Sequence, residues 1–226
     1  MRLFVALLPP PDPVRELSAA LSAVRRLGDA AALRWTEPAG WHFTLAFLGE
    51  VPDAVRPELH RRLGGAAAAD RPHELRLAGA GRFGGRALWV GADGDLPGLV
   101  RLAESVRAAA RAAGAAADET YGFAPHLTVA RTSGVPRERA RDRSRTAPGG
   151  SRTGPRPGAD LRPFVAALDG FRGAPWTAAD LSLVSSVPAD PAGPDTPADA
   201  PRYTALAHWP LGRPGGPAET GTHPAG

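Results

Sequence analysis

Two stretches of this chain carry the same pattern, GWHFTLAFLGE at residues 40–50 and YGFAPHLTVAR at residues 121–131. Each stretch holds a His-x-Thr triplet inside an apolar run that is typical of a buried strand. The polar members of the two triplets are His42, Thr44, His126 and Thr128. The repetition needs an explanation, because a single polar pair in such a strand occurs often by chance.

Alternation along a strand places each histidine on the same face as its own threonine. In the first stretch the opposite face then carries Phe43, Leu45 and Phe47, and in the second it carries Leu127 and Val129. A buried imidazole or hydroxyl without a partner costs roughly 1–3 kcal/mol. We therefore expect both polar pairs to face one water-filled cleft.

Two histidines that face one cleft suit the cleavage of a phosphodiester. One proton must leave the attacking oxygen and another must reach the leaving oxygen, and an imidazole can perform either transfer near neutral pH. Hydroxyls beside the histidines can donate hydrogen bonds to the non-bridging oxygens. This scheme requires no metal and no cofactor.

Three other kinds of site are disfavoured by the sequence. A metal site is the main rival, but the remaining histidines show no ligand spacing of the H-E-x-x-H type. A serine hydrolase would need a G-x-S-x-G elbow, which is absent. The glycine-rich stretch GAGRFGG at 79–85 lacks the Lys-Ser/Thr of a P-loop and is interpreted as turn glycine.

The composition excludes several further classes. The 226 residues contain no cysteine, so disulfides, thiolate nucleophiles and Cys-based zinc sites are excluded. The N-terminal run is too short for a membrane span and has no signal-peptide pattern, so we expect a cytoplasmic protein without membrane contact. All 27 basic residues are arginines, which indicates a codon bias and makes the net charge of +4 weak evidence for a nucleic-acid partner.

Periodicity along the chain predicts a mixture of helices and strands in α+β layers. Helices are predicted at 13–27, 53–65, 96–113 and 161–171, and strands at 2–8, 33–35, 42–48, 73–83, 87–93, 126–131, 180–187 and 202–211. The Arg/Pro/Gly-rich segment 133–160 is predicted to be a mobile loop, and residues 212–226 a disordered tail.

With these flanks, the two triplets resemble those of the two-histidine (2H) phosphoesterase superfamily. Within it, the chain is most similar to the RNA 2′,3′-cyclic phosphodiesterases, also called 2′-5′ RNA ligases. The stretches that carry the likeness are MRLFVALLPP, LRWTEPAGWHFTLAFLGEV, LWVGAD, FAPHLTVAR, LSLVSSV and PRYTALAHWPL. The resemblance implies one bilobal domain over residues 1–211, with two antiparallel sheets around a central cleft and helices outside.

The resemblance also implies an activity and its residues. It implies metal-independent hydrolysis of a terminal 2′,3′-cyclic phosphate to a 2′-phosphomonoester, with 2′-5′ ligation as the reverse reaction. His42 and His126 fall on the family's catalytic positions, and Thr44 and Thr128 on its phosphate-binding positions. The working order takes His126 as base and His42 as acid, although the residues themselves leave the two roles open. The implied substrates are RNA ends or nucleoside 2′,3′-cyclic phosphates, and we expect a monomer.

The chain departs from the family at Ala124, where relatives commonly carry an arginine. Arg131 is retained as a candidate phosphate-binding residue, but strand parity points it away from His126 unless the strand ends or bulges there. The arginines of segment 133–160 are a possible replacement for the missing charge or a mere product of codon bias.

Several aromatic residues are candidates for stacking on bases, and the substrate class is open. The stacking candidates are Trp41, Phe83, Trp89 and Tyr203. Apolar contexts favour core positions for Trp35, Trp89 and Trp176, and His208 is interpreted as structural. Small cyclic nucleotide phosphates or 2′-5′-linked oligonucleotides are alternative substrates. A catalytically idle RNA-binding module is the alternative outside enzymology, and it would not need two proton-transfer groups.

Overall fold

The computed structural model describes residues 1–116, 123–132, 159–187, 202–212 and 218–219. Over these residues the chain forms ten strands and four α-helices. The strands are β1 Arg2–Leu7, β2 Leu33–Trp35, β3 Phe43–Glu50, β4 His73–Phe83, β5 Ala87–Gly94, β6 His126–Thr132, β7 Trp176–Ala178, β8 Asp180–Val187, β9 Arg202–Pro210 and β10 Ala218–Glu219. The helices are α1 Pro11–Val24, α2 Arg56–Ala68, α3 Leu96–Ala112 and α4 Arg162–Leu168.

The strands form two five-stranded antiparallel sheets, which confirms the predicted α+β fold class. The first sheet has the order β10-β9-β8-β1-β3, and the second has the order β2-β6-β5-β4-β7. The two His-x-Thr stretches lie in different sheets, on β3 and β6, and these two strands contact each other. The contact between β3 and β6 therefore brings the two lobes together at the strands that carry the triplets.

The helices cover the outer faces of the sheets. Helices α2 and α3 pack against each other and against the first sheet, whereas α1 and α4 pack on the second. Helix α1 buries Leu17, Leu21 and Val24 along one stripe, as the apolar spacing predicts. It begins at Pro11 rather than residue 13, because a proline is well suited to the first helical position, where no backbone donor is needed.

Helix α2 differs from the prediction at both ends. Residues Asp53–Val55 form a 3₁₀ turn before it, and the helix continues through Gly64 and Gly65 to Ala68. The buried stripe of Leu59, Leu63 and Ala67 continues past the two glycines, so burial outweighs their weak helix propensity. A Cβ at Gly64 would lie 3.1 Å from the indole nitrogen of Trp209, so a glycine allows the close approach of β9.

Two strands were not predicted from the sequence, namely β7 and β10. Most of the predicted loop at 133–160 and most of the predicted tail at 212–226 lie outside the described residues. Within that tail the structure describes Gly212, whose N–H donates to the carbonyl of Ala67, and β10, which pairs with β9. Among the described residues, none of the helices has the length and apolarity needed to cross a membrane.

Candidate active site

Strand β3 carries a bulge that changes which side chains face the cleft. Val5 of β1 pairs with Ala46, and the next residue Ala6 pairs with Thr44, so Leu45 is an extra residue on β3. An extra residue reverses the alternation beyond it. Phe47 therefore joins the face of Thr44, where it is 55% exposed and lines the cleft. The prediction that Phe47 shares the buried face of Phe43 is wrong for this reason.

Strand β6 carries a bulge at the equivalent place. Leu88 of β5 pairs with Ala130, and Trp89 pairs with Thr128, so Val129 is the extra residue. The bulge turns Arg131 to the face of Thr128, and Arg131 lines the cleft. Strand parity alone pointed Arg131 away from His126, and this bulge is the irregularity that brings Arg131 to the site. Each bulge lies three residues after its histidine, so Phe47 and Arg131 occupy equivalent positions in the two lobes.

Both imidazoles are held by the backbone in the same way. Nδ1 of His42 lies 2.8 Å from the carbonyl oxygen of Gly40, and Nδ1 of His126 lies 2.8 Å from that of Ala124. A carbonyl oxygen only accepts, so Nδ1 carries the hydrogen in both rings and Nε2 is left to exchange protons. Ala124 therefore orients His126 through its main chain, and this contact does not depend on the side chain at that position.

Aromatic rings surround each histidine. The His42 ring lies 4.6 Å from Phe4 and 5.2 Å from Tyr203, measured between ring centroids. The ring of His126 lies 4.7 Å from Phe83 in an edge-to-face arrangement and 6.3 Å from Trp89. These contacts restrict the orientation of each imidazole ring. Phe4 was not singled out from the sequence, because β1 reads as a continuous apolar run.

The other aromatic candidates have mixed outcomes. Tyr203 lines the cleft, and Phe83 is 46% exposed beside His126. Trp41 is buried, and its indole N–H donates to the carbonyl of Thr36 at 3.1 Å, so its prediction as a stacking residue is wrong. The physical reason is that Trp41 comes just before strand β3 and packs in the same hydrophobic core as the buried residues of that strand.

The surroundings depress the basicity of both imidazoles. The pKa of His42 is lowered from its ordinary 6.5 to about 4, mainly by burial and also by the charges of His126 and Arg131, whereas the bond to the Gly40 carbonyl opposes the shift. Burial also lowers the pKa of His126, with Arg131 acting in the same direction and the bond to Ala124 opposing. Both rings are therefore neutral at pH 7 in the free protein, and His42 has the larger shift.

The two histidines and two threonines line one cleft of about 1090 Å³ between the sheets. Thr44 and Thr128 are half-buried there, each next to its own histidine. The charged lining residues are four arginines and one carboxylate, an excess of three positive charges over the described lining. These residues are Arg2, Arg34, Arg131, Arg202 and Glu37. The cleft is thus suited to a ligand with several negative charges.

His73 is a fully buried histidine that lies apart from the cleft. Its Nδ1 lies 2.9 Å from Asp95, which also caps helix α3 by accepting from the N–H of Gly98. The Asp70 carboxylate lies 3.4 Å from Nε2 of the same ring. This histidine therefore ties the start of β4 to the start of α3. In the described part of the chain, no three His, Cys, Asp or Glu side chains are arranged to hold a metal ion.

Comparison with known proteins identifies the family. The sequence model of the 2′-5′ RNA ligase superfamily matches residues 10–149, more than half of the chain, so the chain belongs to this superfamily. The resemblance inferred from the two triplets is confirmed at this level. Among solved structures, a protein of Thermus thermophilus matches with a TM-score of 0.61 and 26% identity, over 94% of this chain and 98% of that one.

Curated relatives from several bacteria and archaea carry the name RNA 2′,3′-cyclic phosphodiesterase. The protein of Geobacillus stearothermophilus is 36% identical over 123 residues, which cover 50% of this chain and 38% of that protein. The protein of Archaeoglobus fulgidus is 32% identical over 137 residues, which cover 58% of this chain and 72% of that protein. The chain thus spans well under half the length of the Geobacillus protein.

Proposed function

We propose that this chain hydrolyses the 2′,3′-cyclic phosphate at an RNA end to a 2′-phosphomonoester. The observation that carries the proposal is the pair of equivalent imidazoles, each held at Nδ1 by a carbonyl two residues earlier, in one cleft with a threonine beside each. The names of the relatives support the same activity. The proposed enzyme is a phosphodiesterase that needs neither a metal nor a nucleotide cofactor.

The reaction requires two proton transfers on opposite sides of the phosphorus. One neutral imidazole accepts at Nε2 a proton from water, whose oxygen forms the new bond to phosphorus. The other imidazole takes up a proton from solvent at Nε2 when the substrate binds, and as the bond between phosphorus and the 3′ oxygen breaks it gives that proton to the leaving oxygen. The two histidines end with their protonation states exchanged, and solvent restores the starting state.

The remaining polar groups act on the non-bridging oxygens of the phosphate. The hydroxyls of Thr44 and Thr128 donate hydrogen bonds to these oxygens as negative charge builds there. Arg131 adds a full positive charge close to both histidines, because it contributes to the depressed pKa of each. A bound phosphodiester brings a negative charge that opposes this effect, so substrate binding raises the pKa of the histidine that acts as acid.

Either order of the two roles balances the reaction. The resemblance favours His126 as base and His42 as acid. The free protein favours the opposite order, because the histidine with the more strongly lowered pKa, His42, is the one that stays neutral most completely. The roles can be separated by the leaving group, since a good leaving group needs no acid.

The proposal is tested with purified protein, adenosine 2′,3′-cyclic phosphate and an RNA ending in the same group, each with and without EDTA. We expect the 2′-phosphomonoester as product in all four reactions, identified by phosphorus NMR. The double variant His42→Ala/His126→Ala is the matched control. Formation of the 3′-phosphomonoester, or activity lost in EDTA and restored by zinc or manganese, would contradict the proposal.

A second candidate keeps the site and changes the substrate. A cleft of about 1090 Å³ is larger than one nucleotide requires, which favours a ligand with more than one nucleotide unit. Hydrolysis of 2′-5′-linked oligonucleotides, or the reverse ligation, would use the same two proton transfers. A 2′-5′-linked dinucleotide added to the assay distinguishes this candidate from cyclic phosphodiesterase activity alone.

A further inference from the structure

Strands β2 and β6 place two arginines directly opposite each other. Arg34 of β2 pairs with Arg131 of β6, and both residues are exposed and line the cleft. Residues paired in this way point to the same face of a sheet, with Cβ atoms roughly 4.5–5.5 Å apart. The adjacent positions Leu33 and Ala130 are buried on the other face. Both guanidinium groups therefore extend from the cleft side of the second sheet.

This opposition of like charges is unusual within the molecule. Other arginines of the strands have a carboxylate opposite them, because Arg2 pairs with Glu50 and Arg76 pairs with Asp93. In the described strand register, the β2 and β6 arginines are the one pair of cations that face each other. Like charges directly opposite each other destabilise a pair of strands. The fold thus carries an electrostatic cost at this point of the cleft.

The described carboxylates do not offset this cost. Glu37 also lines the cleft, but neither it nor another described carboxylate forms an ion pair with Arg34 or Arg131. Exposed arginines elsewhere lack an ion pair as well, but they do not face a second guanidinium across a strand pair. A bound anion that contacts both groups converts their repulsion into two attractive contacts. The pair is therefore suited to a ligand with negative charge on this side of the cleft.

Arg34 lies further from the histidines than Arg131 does. Arg131 lowers the pKa of both His42 and His126, whereas Arg34 is not among the charges that do so. Strand β2 is the edge strand of the second sheet, one strand spacing, about 4.8 Å, beyond β6. Arg131 is thus placed for the phosphate at the histidines, and Arg34 is placed for the next charged group of the same ligand.

Resting on the proposed function, we propose that Arg34 binds a second phosphate of the substrate, the one on the 5′ side of the terminal nucleoside. In an RNA that ends in a 2′,3′-cyclic phosphate, all other backbone phosphates lie on that side, and this one is the nearest. Arg131 then serves the reacting phosphate and Arg34 the adjacent one. The site therefore takes an RNA end in preference to a nucleoside cyclic phosphate.

The proposal predicts a preference between two small substrates. Adenosine 2′,3′-cyclic phosphate lacks a 5′-phosphate, whereas its 5′-phosphorylated form carries one at the position of the RNA backbone. The measured quantity is the ratio of kcat/KM for the phosphorylated substrate to kcat/KM for the other. Arg34→Gln, which removes the charge, and Arg34→Lys, which keeps it, are compared with the wild type. Arg101→Gln, which removes an equal charge from the exposed face of α3, is the control.

We expect a wild-type ratio well above one, lowered about fivefold by Arg34→Gln, as for the loss of an ion pair at an exposed site. Arg34→Lys should keep most of the ratio, and Arg101→Gln all of it. The wild-type ratio should also fall as salt is added, and the ratio of Arg34→Gln should fall less.

Two results would overturn the second phosphate site while leaving the proposed function intact. One is a wild-type ratio near one, and the other is an equal loss with both substrates in Arg34→Gln, which would place Arg34 at the reacting phosphate. Absence of turnover with both substrates in the wild type would overturn the proposed function, and the second phosphate site with it.

Discussion

The burial of His42 makes the stability of the fold depend on pH. An unfolded histidine takes up a proton near pH 6.5, whereas His42 in the folded protein stays neutral down to about pH 4. Between these values the unfolded state binds more protons, so its free energy falls relative to the folded state as the pH falls. At about 1.4 kcal/mol per pKa unit, the stabilisation from neutral His42 is complete above pH 6.5 and falls by about 3 kcal/mol by pH 4.

The assay is urea unfolding of the wild type and of His42→Asn at intervals from pH 7.5 to pH 4. Asparagine does not titrate in this range, and its amide can donate to the Gly40 carbonyl in place of Nδ1. The quantity of interest is the difference between the two unfolding free energies, because the contributions of the other titrating groups cancel in it. We expect this difference to shift by about 3 kcal/mol against the wild type on acidification. A difference that stays constant with pH would refute the depressed pKa and the buried, neutral imidazole behind it.

Three further predictions concern catalysis. His42→Ala and His126→Ala should each lower turnover of the cyclic phosphate roughly 10²-fold or more. The loss in the double variant should be far smaller than the product of the two single losses, because the two histidines act as a unit. A single variant that is folded and fully active would contradict the scheme. A substrate with sulfur in place of the 3′ oxygen has a leaving group that needs no proton. On this substrate the variant that lacks the acid should regain turnover, and the variant that lacks the base should not. Regained turnover in both variants or in neither would show that the two roles are not divided. Arg131→Gln should lower kcat/KM by about tenfold and move the acid limb of its pH profile upward, because the lost positive charge raises the pKa of both histidines; an unchanged profile would place Arg131 outside the site.

The features that the sequence predicted well are those encoded within one element. The period of two in LAFLGE and HLTVAR identifies strands, and the spacing of Leu17, Leu21 and Val24 identifies a helix, because each pattern needs only its own residues. The α+β class and the shared cleft of the two triplets followed from these patterns. The 3-residue strand β7 was missed, although the equally short β2 was predicted.

The features that the sequence could not predict depend on how two strands pair. A bulge exists only in relation to a partner, so neither LAF nor VAR shows that Leu45 and Val129 are extra residues opposite β1 and β5. The orientation of Phe47 and Arg131 depends on these bulges. The cleft positions of Arg2 and Arg202 depend on the neighbouring positions of β1, β8 and β9, which are far apart in the sequence. The sequence contains twenty-seven arginines of similar local context, so it offered no basis for predicting that Arg2 and Arg202 line the cleft.

The two lobes are alike in what holds a histidine and different in what surrounds it. Each has a triplet, a carbonyl anchor at Nδ1 and a bulge three residues later, but the bulge turns Phe47 inward in one lobe and Arg131 in the other. Phosphodiester hydrolysis is itself unsymmetrical, because one oxygen enters as another leaves. Identical surroundings would give both imidazoles the same pKa and no reason to take different roles. Burial, the largest cause of both pKa shifts, is stronger at His42, and the presence of an aromatic ring in one lobe where the other has a guanidinium adds a second difference within the repeated frame.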